Sequence, residues 1–230
     1  MKFGKKNNVR CGLIIFDKKY NIYILALLSP YNMNSIKREY DFLFSTLIDT
    51  PSAFSQPEYI YPEKLSIPRG GKKSGECGLS CAIREFIEET KQLPHGEGFL
   101  CENPFKWTWS DCNKTWIYDI YVIQIESFIA CTKMAFCYTI IGKINLTSIN
   151  ITFVWNPKLE TPNHYIQLRQ HEKRFMVIKT QLDQYLNYIK CLQIKTYQKS
   201  NYQRFVNWLL DIKKQPDLYL TKRILFSLKE

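Results

Sequence analysis

Histidine is scarce in this chain, with three among 230 residues. The eight cysteines, at positions 11, 77, 81, 101, 112, 131, 137 and 191, include no C-x-x-C pair. These two lacks together argue against zinc, whose ligands come at such spacings. Cys77 and Cys81 are one helical turn apart, a poor separation for a structural disulfide, so reduced and packed thiols in a cytoplasmic or nuclear setting are expected. No apolar run reaches the length of a membrane span, and no apolar stretch long enough for secretion follows the first eight residues. No membrane partner and no export are therefore expected. Internal repeats and low-complexity tracts are absent as well.

Acidic residues are also outnumbered, 21 against 32 Lys and Arg, for a formal charge of +11. The excess is uneven. Residues 1–157 carry 18 basic and 15 acidic side chains, whereas residues 158–230 carry 14 and 6. A basic C-terminal third suggests a large polyanion such as RNA, with solubilising lysines as a nearly equal alternative. What the chain does have is a 45% hydrophobic content, enough for the core of one domain.

The most informative stretch is residues 70–90. Leu79, Ala82, Ile83, Phe86 and Ile87 form a helical apolar stripe. At about 100° per residue, Glu85, Glu88 and Glu89 fall within roughly a third of the circumference, away from that stripe. Most Glu-rich helix faces are only solvated surface. Here the preceding Ile67-Pro68-Arg69-Gly70-Gly71 reads as a strand running into a glycine loop, and Glu76 and Arg84 stand in register with the carboxylates. Crowded carboxylates repel unless a cation neutralises them, and oxygen-only donors suit Mg²⁺ or Mn²⁺, ions that act on phosphates.

Gly70, Glu76, Arg84, Glu85, Phe86, Glu88 and Glu89 match G-x5-E-x7-R-E-U-x-E-E-x-G-U, so the segment resembles the Nudix box over 70–92, about a tenth of the chain. The departure is at its end, where Lys91 stands in place of the helix-closing glycine and Gln92 in place of the last aliphatic residue. A differently built loop is expected there. Ser66–Gly70 and Ala82–Thr90, followed by a Trp/Tyr-rich hairpin, are similar to Nudix proteins of large DNA viruses, most nearly the baculovirus-type ADP-ribose pyrophosphatase group. The resemblance implies an α/β fold, an α/β/α sandwich with a mixed central sheet, over residues 1–190. An insertion at about 31–60 would precede the box, and residues 191–230 would add a basic helical extension packed on the same domain.

The resemblance further implies hydrolysis of a diphosphate linkage in a nucleoside diphosphate joined to another group, inside the host cell. The metal ligands would be the Gly70 carbonyl, Glu85, Glu88 and Glu89. Arg69 and Lys72 would bind substrate, Arg84 would orient the carboxylates and Glu76 would support the loop. The catalytic set would be Arg84, Glu85 and Glu89 with Glu172 from a late acidic loop; Glu85 is the first candidate for general base, and Asp111 and Asp119 are weaker ones. The favoured substrate is the 5′ cap of mRNA, on the strength of the charge asymmetry. The alternatives are ADP-ribose or a related small nucleotide, and a catalytically silent RNA-binding module.

Elsewhere, residues 11–17 and 21–28 read as two strands joined by a turn, and Asn34–Ile48 as a helix inside the insertion. Phe105–Trp109 and Trp116–Ile125 read as a hairpin, Phe136–Ile144 and Ile149–Trp155 as further strands. Tyr202–Lys213 and Leu218–Leu228 read as amphipathic helices.

Overall fold

The computed structural model describes residues 10–29, 61–111, 114–130, 138–145, 147–156, 175–197 and 199–229. The expected insertion helix, Glu172 and its loop lie outside the described residues. The strands are β1 (Arg10–Phe16), β2 (Asn21–Ser29), β3 (Tyr61–Ser66), β4 (Arg69–Gly71), β5 (Gln92–Cys101), β6 (Phe105–Asp111), β7 (Lys114–Ala130), β8 (Tyr138–Ile144), β9 (Ser148–Trp155), β10 (Phe175–Gln181) and β11 (Leu220–Lys229). The helices are α1 (Gly78–Thr90), α2 (Leu182–Tyr188), α3 (Tyr202–Lys214) and α4 (Pro216–Tyr219), with a π-helical stretch Ile189–Gln193 and a short turn Ile194–Thr196 after α2. Among the described residues no helix is long and apolar enough to cross a membrane.

All the strands join one mixed sheet in the order β10-β2-β1-β7-β5-β11-β9-β8, with β3 on β2, β4 on β1 and β6 on β7. The β1–β7 and β9–β11 pairs are parallel; the others are antiparallel. Both faces of the sheet's centre are covered, so β1 reads as an unbroken apolar run rather than an alternation. Its odd residues Cys11, Leu13 and Ile15 pack with Cys81, Ala82, Ile83, Phe86 and Ile87 of α1. Its even residues Ile14 and Phe16 pack on the other side, with Tyr185 of α2 and Phe205 and Leu209 of α3. This is the expected α/β/α layering. Trp107 of the β6–β7 hairpin is 1% exposed and stacks on Phe205 at 4.8 Å, a core role.

The segment Leu218–Leu228 is not the second amphipathic helix expected at the C-terminal end. Residues 220–229 form β11, which lies between β5 and β9. Leu220, Ile224 and Phe226 are buried, which is an even-numbered spacing. Residues at i and i+4 share a face in a helix and in a strand alike, so the pattern fits both periods. Pairing with β5 and β9 satisfies the backbone on both sides and decides in favour of the strand. The extension is thus helical only as far as α4.

Candidate active site

Three short segments build the site. Strand β4 pairs antiparallel with β1, placing Gly70 opposite Cys11, and Leu13 N–H donates to the Pro68 carbonyl at 3.1 Å. A turn follows, closed by Glu76 N–H on the Lys73 carbonyl at 3.2 Å, with Gly75 at φ +76° where a side chain would be strained. Helix α1 then begins at Gly78, capped by Cys77, whose sulfur accepts from Ser80 N–H. The buried stripe of α1 fixes its rotation and turns the carboxylates towards β4.

Arg84 gathers this edge. Its Nε and Nη2 fork onto Glu76 at 2.8 and 3.0 Å, and Nη1 donates to Glu85 at 2.7 Å and Glu88 at 3.0 Å. Nη2 also donates to the Gly71 carbonyl at 2.9 Å. One guanidinium therefore ties three carboxylates to the glycine loop, a geometry that a lysine could not reproduce. Glu89 instead accepts from the Arg69 backbone N–H at 2.9 Å. Burial pushes the Glu89 carboxyl up to about 8 and also raises that of Glu85, whereas Glu76 is held below the usual range by its bonds to Arg84 despite burial.

Gly70 cannot be replaced without moving the site, because a Cβ there would fall 2.1 Å from the Glu85 carboxyl carbon. The missing side chain lets Glu85 rest against the loop backbone. With Glu88 and Glu89 one turn further along, the donors are hard oxygens on one edge, which fits a divalent cation. Among the described residues no three acidic, thiol or imidazole groups converge as a ready-made cage. The chain's own cations, Arg84 and Lys73, offset the carboxylate charge instead.

The expected residues separate as follows. Gly70, Glu76, Arg84, Glu85, Glu88 and Glu89 come together. The Arg69 main chain belongs to the group, but its guanidinium lies on the opposite face of the sheet, 5.3 Å from the Trp107 ring centroid and 5.1 Å from that of Tyr118. Lys72 is exposed and makes no ion pair among the described residues. Its neighbour Lys73, missed in the sequence, pairs with Glu88 at 3.5 Å and donates its backbone N–H to Glu76 at 2.9 Å. The three-residue spacing from Lys73 to Glu76, ending just before a helix, was the available signal. Asp119 lies in one row with Cys11 and Gly70 and pairs with Lys106 at 3.5 Å. A cleft of about 390 Å³ opens beside Glu76 and Arg84, walled by Tyr138, Ile140 and Ile151.

No family model matches the chain. It is 28% identical over 159 residues to an uncharacterized 24.3 kDa protein of Orgyia pseudotsugata multicapsid polyhedrosis virus, covering 66% of this chain and 68% of that one. It is 26% identical over 160 residues to the protein ADP-ribose pyrophosphatase ORF38 of Autographa californica nuclear polyhedrosis virus, covering 67% and 68%. These relatives accompany a box whose arginine and glutamates meet in space as its spacing required. The chain is similar to the Nudix hydrolases in this box and in these viral relatives. A Nudix hydrolase from Nitrosomonas europaea superimposes with a TM-score of 0.31 at 19% identity, over 76% of this chain and 93% of that one, too loosely to carry weight.

The departure at the end of the Nudix box has a different outcome from the one expected. Lys91 itself adopts the left-handed conformation, φ 56° and ψ 30°, and donates its N–H to the Ile87 carbonyl at 2.9 Å. The helix closes as a glycine would close it, with a side chain in a region that disfavours one.

Proposed function

We propose that the chain hydrolyses the diphosphate of ADP-ribose or a closely related nucleoside diphosphate ester, releasing a nucleoside monophosphate and a second phosphate ester. The observation that carries this reading is the Arg84-centred carboxylate edge against Gly70, joined to similarity with the ADP-ribose pyrophosphatase ORF38 of Autographa californica nuclear polyhedrosis virus. Glu85, Glu88, Glu89 and the Gly70 carbonyl would hold the divalent cation, Mg²⁺ or Mn²⁺. When bound, it supplies charge neutralisation on the diphosphate and a lowered pKa for an attacking water.

The remaining work falls to the chain. Arg84 keeps Glu85 and Glu88 in one orientation, and Glu76 anchors Arg84. Glu89, whose carboxyl is raised towards neutrality by burial, is suited to hold or pass on the water's proton at one oxygen while Arg69 N–H secures the other. The cleft beside Arg84 offers room for the substrate beyond its phosphates. The reduced cysteines fit an intracellular setting.

A second reading keeps the same chemistry on the 5′ cap of mRNA. The specific observation in its favour is the basic balance of residues 158–230, 14 against 6. A panel of ADP-ribose, capped RNA, dinucleoside polyphosphates and diphosphoinositol phosphates, each with Mg²⁺ and Mn²⁺, separates the readings. AMP and ribose 5-phosphate released fastest from ADP-ribose is the expected result. Capped RNA consumed while ADP-ribose persists reverses the order, and turnover of nothing removes both.

A further inference from the structure

The glycine loop has a second face. Gly70 turns towards α1 and the carboxylates, so Arg69 and Gly71 turn the opposite way. A Cβ built on Gly71 meets nothing within 4 Å, which leaves open space above it. Arg10 of β1 is the direct antiparallel partner of Gly71, so its side chain rises on that same face. Arg69 flanks Gly71 on the other side, one residue removed from Gly70. The result is a glycine floor between two guanidiniums, one backbone thickness from the donors expected to hold the metal.

Arg10 is held in place rather than left to solvent. Its Nη1 donates to Tyr118 Oη at 3.0 Å, and its guanidinium carbon lies 4.4 Å from the Trp116 ring centroid and 5.8 Å from that of Tyr118. Arg69 contacts the other side of the assembly through Tyr118 and Trp107. Tyr118 is 5% exposed and thus a rigid post between the two cations. Among the described residues no carboxylate pairs with Arg10, so its charge is met only by a ring face and a phenol. A half-buried arginine oriented by aromatics has fewer rotamers to lose on binding an anion.

We propose that Arg10, Arg69 and the Gly71 floor form a phosphate subsite. It takes a phosphate or pyrophosphate group on the face of β4 away from the carboxylate edge, with Tyr118 and Trp116 as positioning residues for Arg10. This rests on the pyrophosphohydrolase reading for its place in turnover, but binding can be read without it. The residues differ from the Nudix box set, and only Arg69 was marked in the sequence.

The test uses metal-free protein in EDTA, titrated calorimetrically with inorganic pyrophosphate, AMP and adenosine. Wild type should bind pyrophosphate and AMP in preference to adenosine. Arg10→Gln should weaken both anions by roughly tenfold to a hundredfold, as expected for loss of charge-assisted hydrogen bonds. Arg10→Lys should recover part of that loss through charge alone. Gly71→Val fills the floor at a position with room for a side chain, so it should weaken the anions while the melting temperature holds. Tyr118→Phe removes one hydroxyl and should raise KM several-fold with kcat nearly constant, a split that a general packing defect does not give. Anion binding unchanged in both Arg10→Gln and Gly71→Val, or absent from wild type, overturns the subsite. Arginine-dependent pyrophosphate binding in a protein that hydrolyses no substrate of the panel leaves the subsite standing and removes the proposed substrate class.

Discussion

The residue on which the chemistry turns is Glu89. It is the most deeply placed carboxylate of the edge, and it accepts a hydrogen bond from the Arg69 backbone N–H. Glu89→Gln keeps an oxygen for that donor and the same volume, so the fold should survive. Losing a cation ligand and a proton acceptor together should lower kcat by about a hundredfold or more. The same burial sets a pH dependence with a definite sign. The folded carboxyl titrates near 8, above its ordinary 4.5, so the native state binds a proton that the unfolded chain releases. This contribution to stability is fully present below about pH 4.5 and is lost as pH rises through 8. The melting temperature of metal-free protein should therefore fall across that window, and less steeply in Glu89→Gln. A divalent cation should raise it more at pH 9 than at pH 6. Equal slopes for the two proteins would show that Glu89 is not the buried acid.

At the scale of elements, the sequence made the box legible because helix periodicity, carboxylate spacing and the glycine loop are all local. The stripe Leu79, Ala82, Ile83, Phe86 and Ile87 could be counted before any fold was known. Two elements were not legible, for different reasons. Lys91 hides a left-handed cap because its conformation is imposed by the strand that follows, β5, and not by its own preference. Lys91→Gly should consequently stabilise the protein by roughly 0.5–1 kcal/mol, a gain measurable by denaturant melts at unchanged slope. Destabilisation would mean that the lysine side chain outweighs the strain. Strand β11 was misread as helix because its partners β5 and β9 are distant in the chain, and only their backbones distinguish the two periods. Since β11 divides the sheet, Phe226→Ala should cost about 3–5 kcal/mol, as for a core aromatic. Deleting residues 216–230 should give insoluble or unfolded protein instead of a trimmed enzyme. A soluble, cooperatively melting truncation would make the segment an appendage after all.

For the whole molecule, the open question is whether the +11 charge serves a substrate or only solubility. The structure distributes part of the basic C-terminal third over elements that also pack the core. Lys213 and Lys214 end α3, and Lys222, Arg223 and Lys229 lie on β11, where Arg223 pairs with Glu97. A folded segment that must fill the core can still present its polar positions as a binding face. The two uses differ in how they respond to salt. A small nucleotide gripped through two phosphates displaces few counterions, so kcat/KM for ADP-ribose should change by only a few-fold between 50 and 200 mM salt. An RNA lying across the basic third would make many phosphate contacts, and six to ten of them imply a loss of about 10³-fold or more over that range. The same comparison with Lys222→Gln and Arg223→Gln assigns the effect to β11. If these changes flatten the RNA slope and leave ADP-ribose turnover alone, the charge is a polyanion surface grafted beside the Nudix site. If neither substrate is steeply salt-dependent, the basic excess is solubility, and the small-nucleotide reading stands by itself.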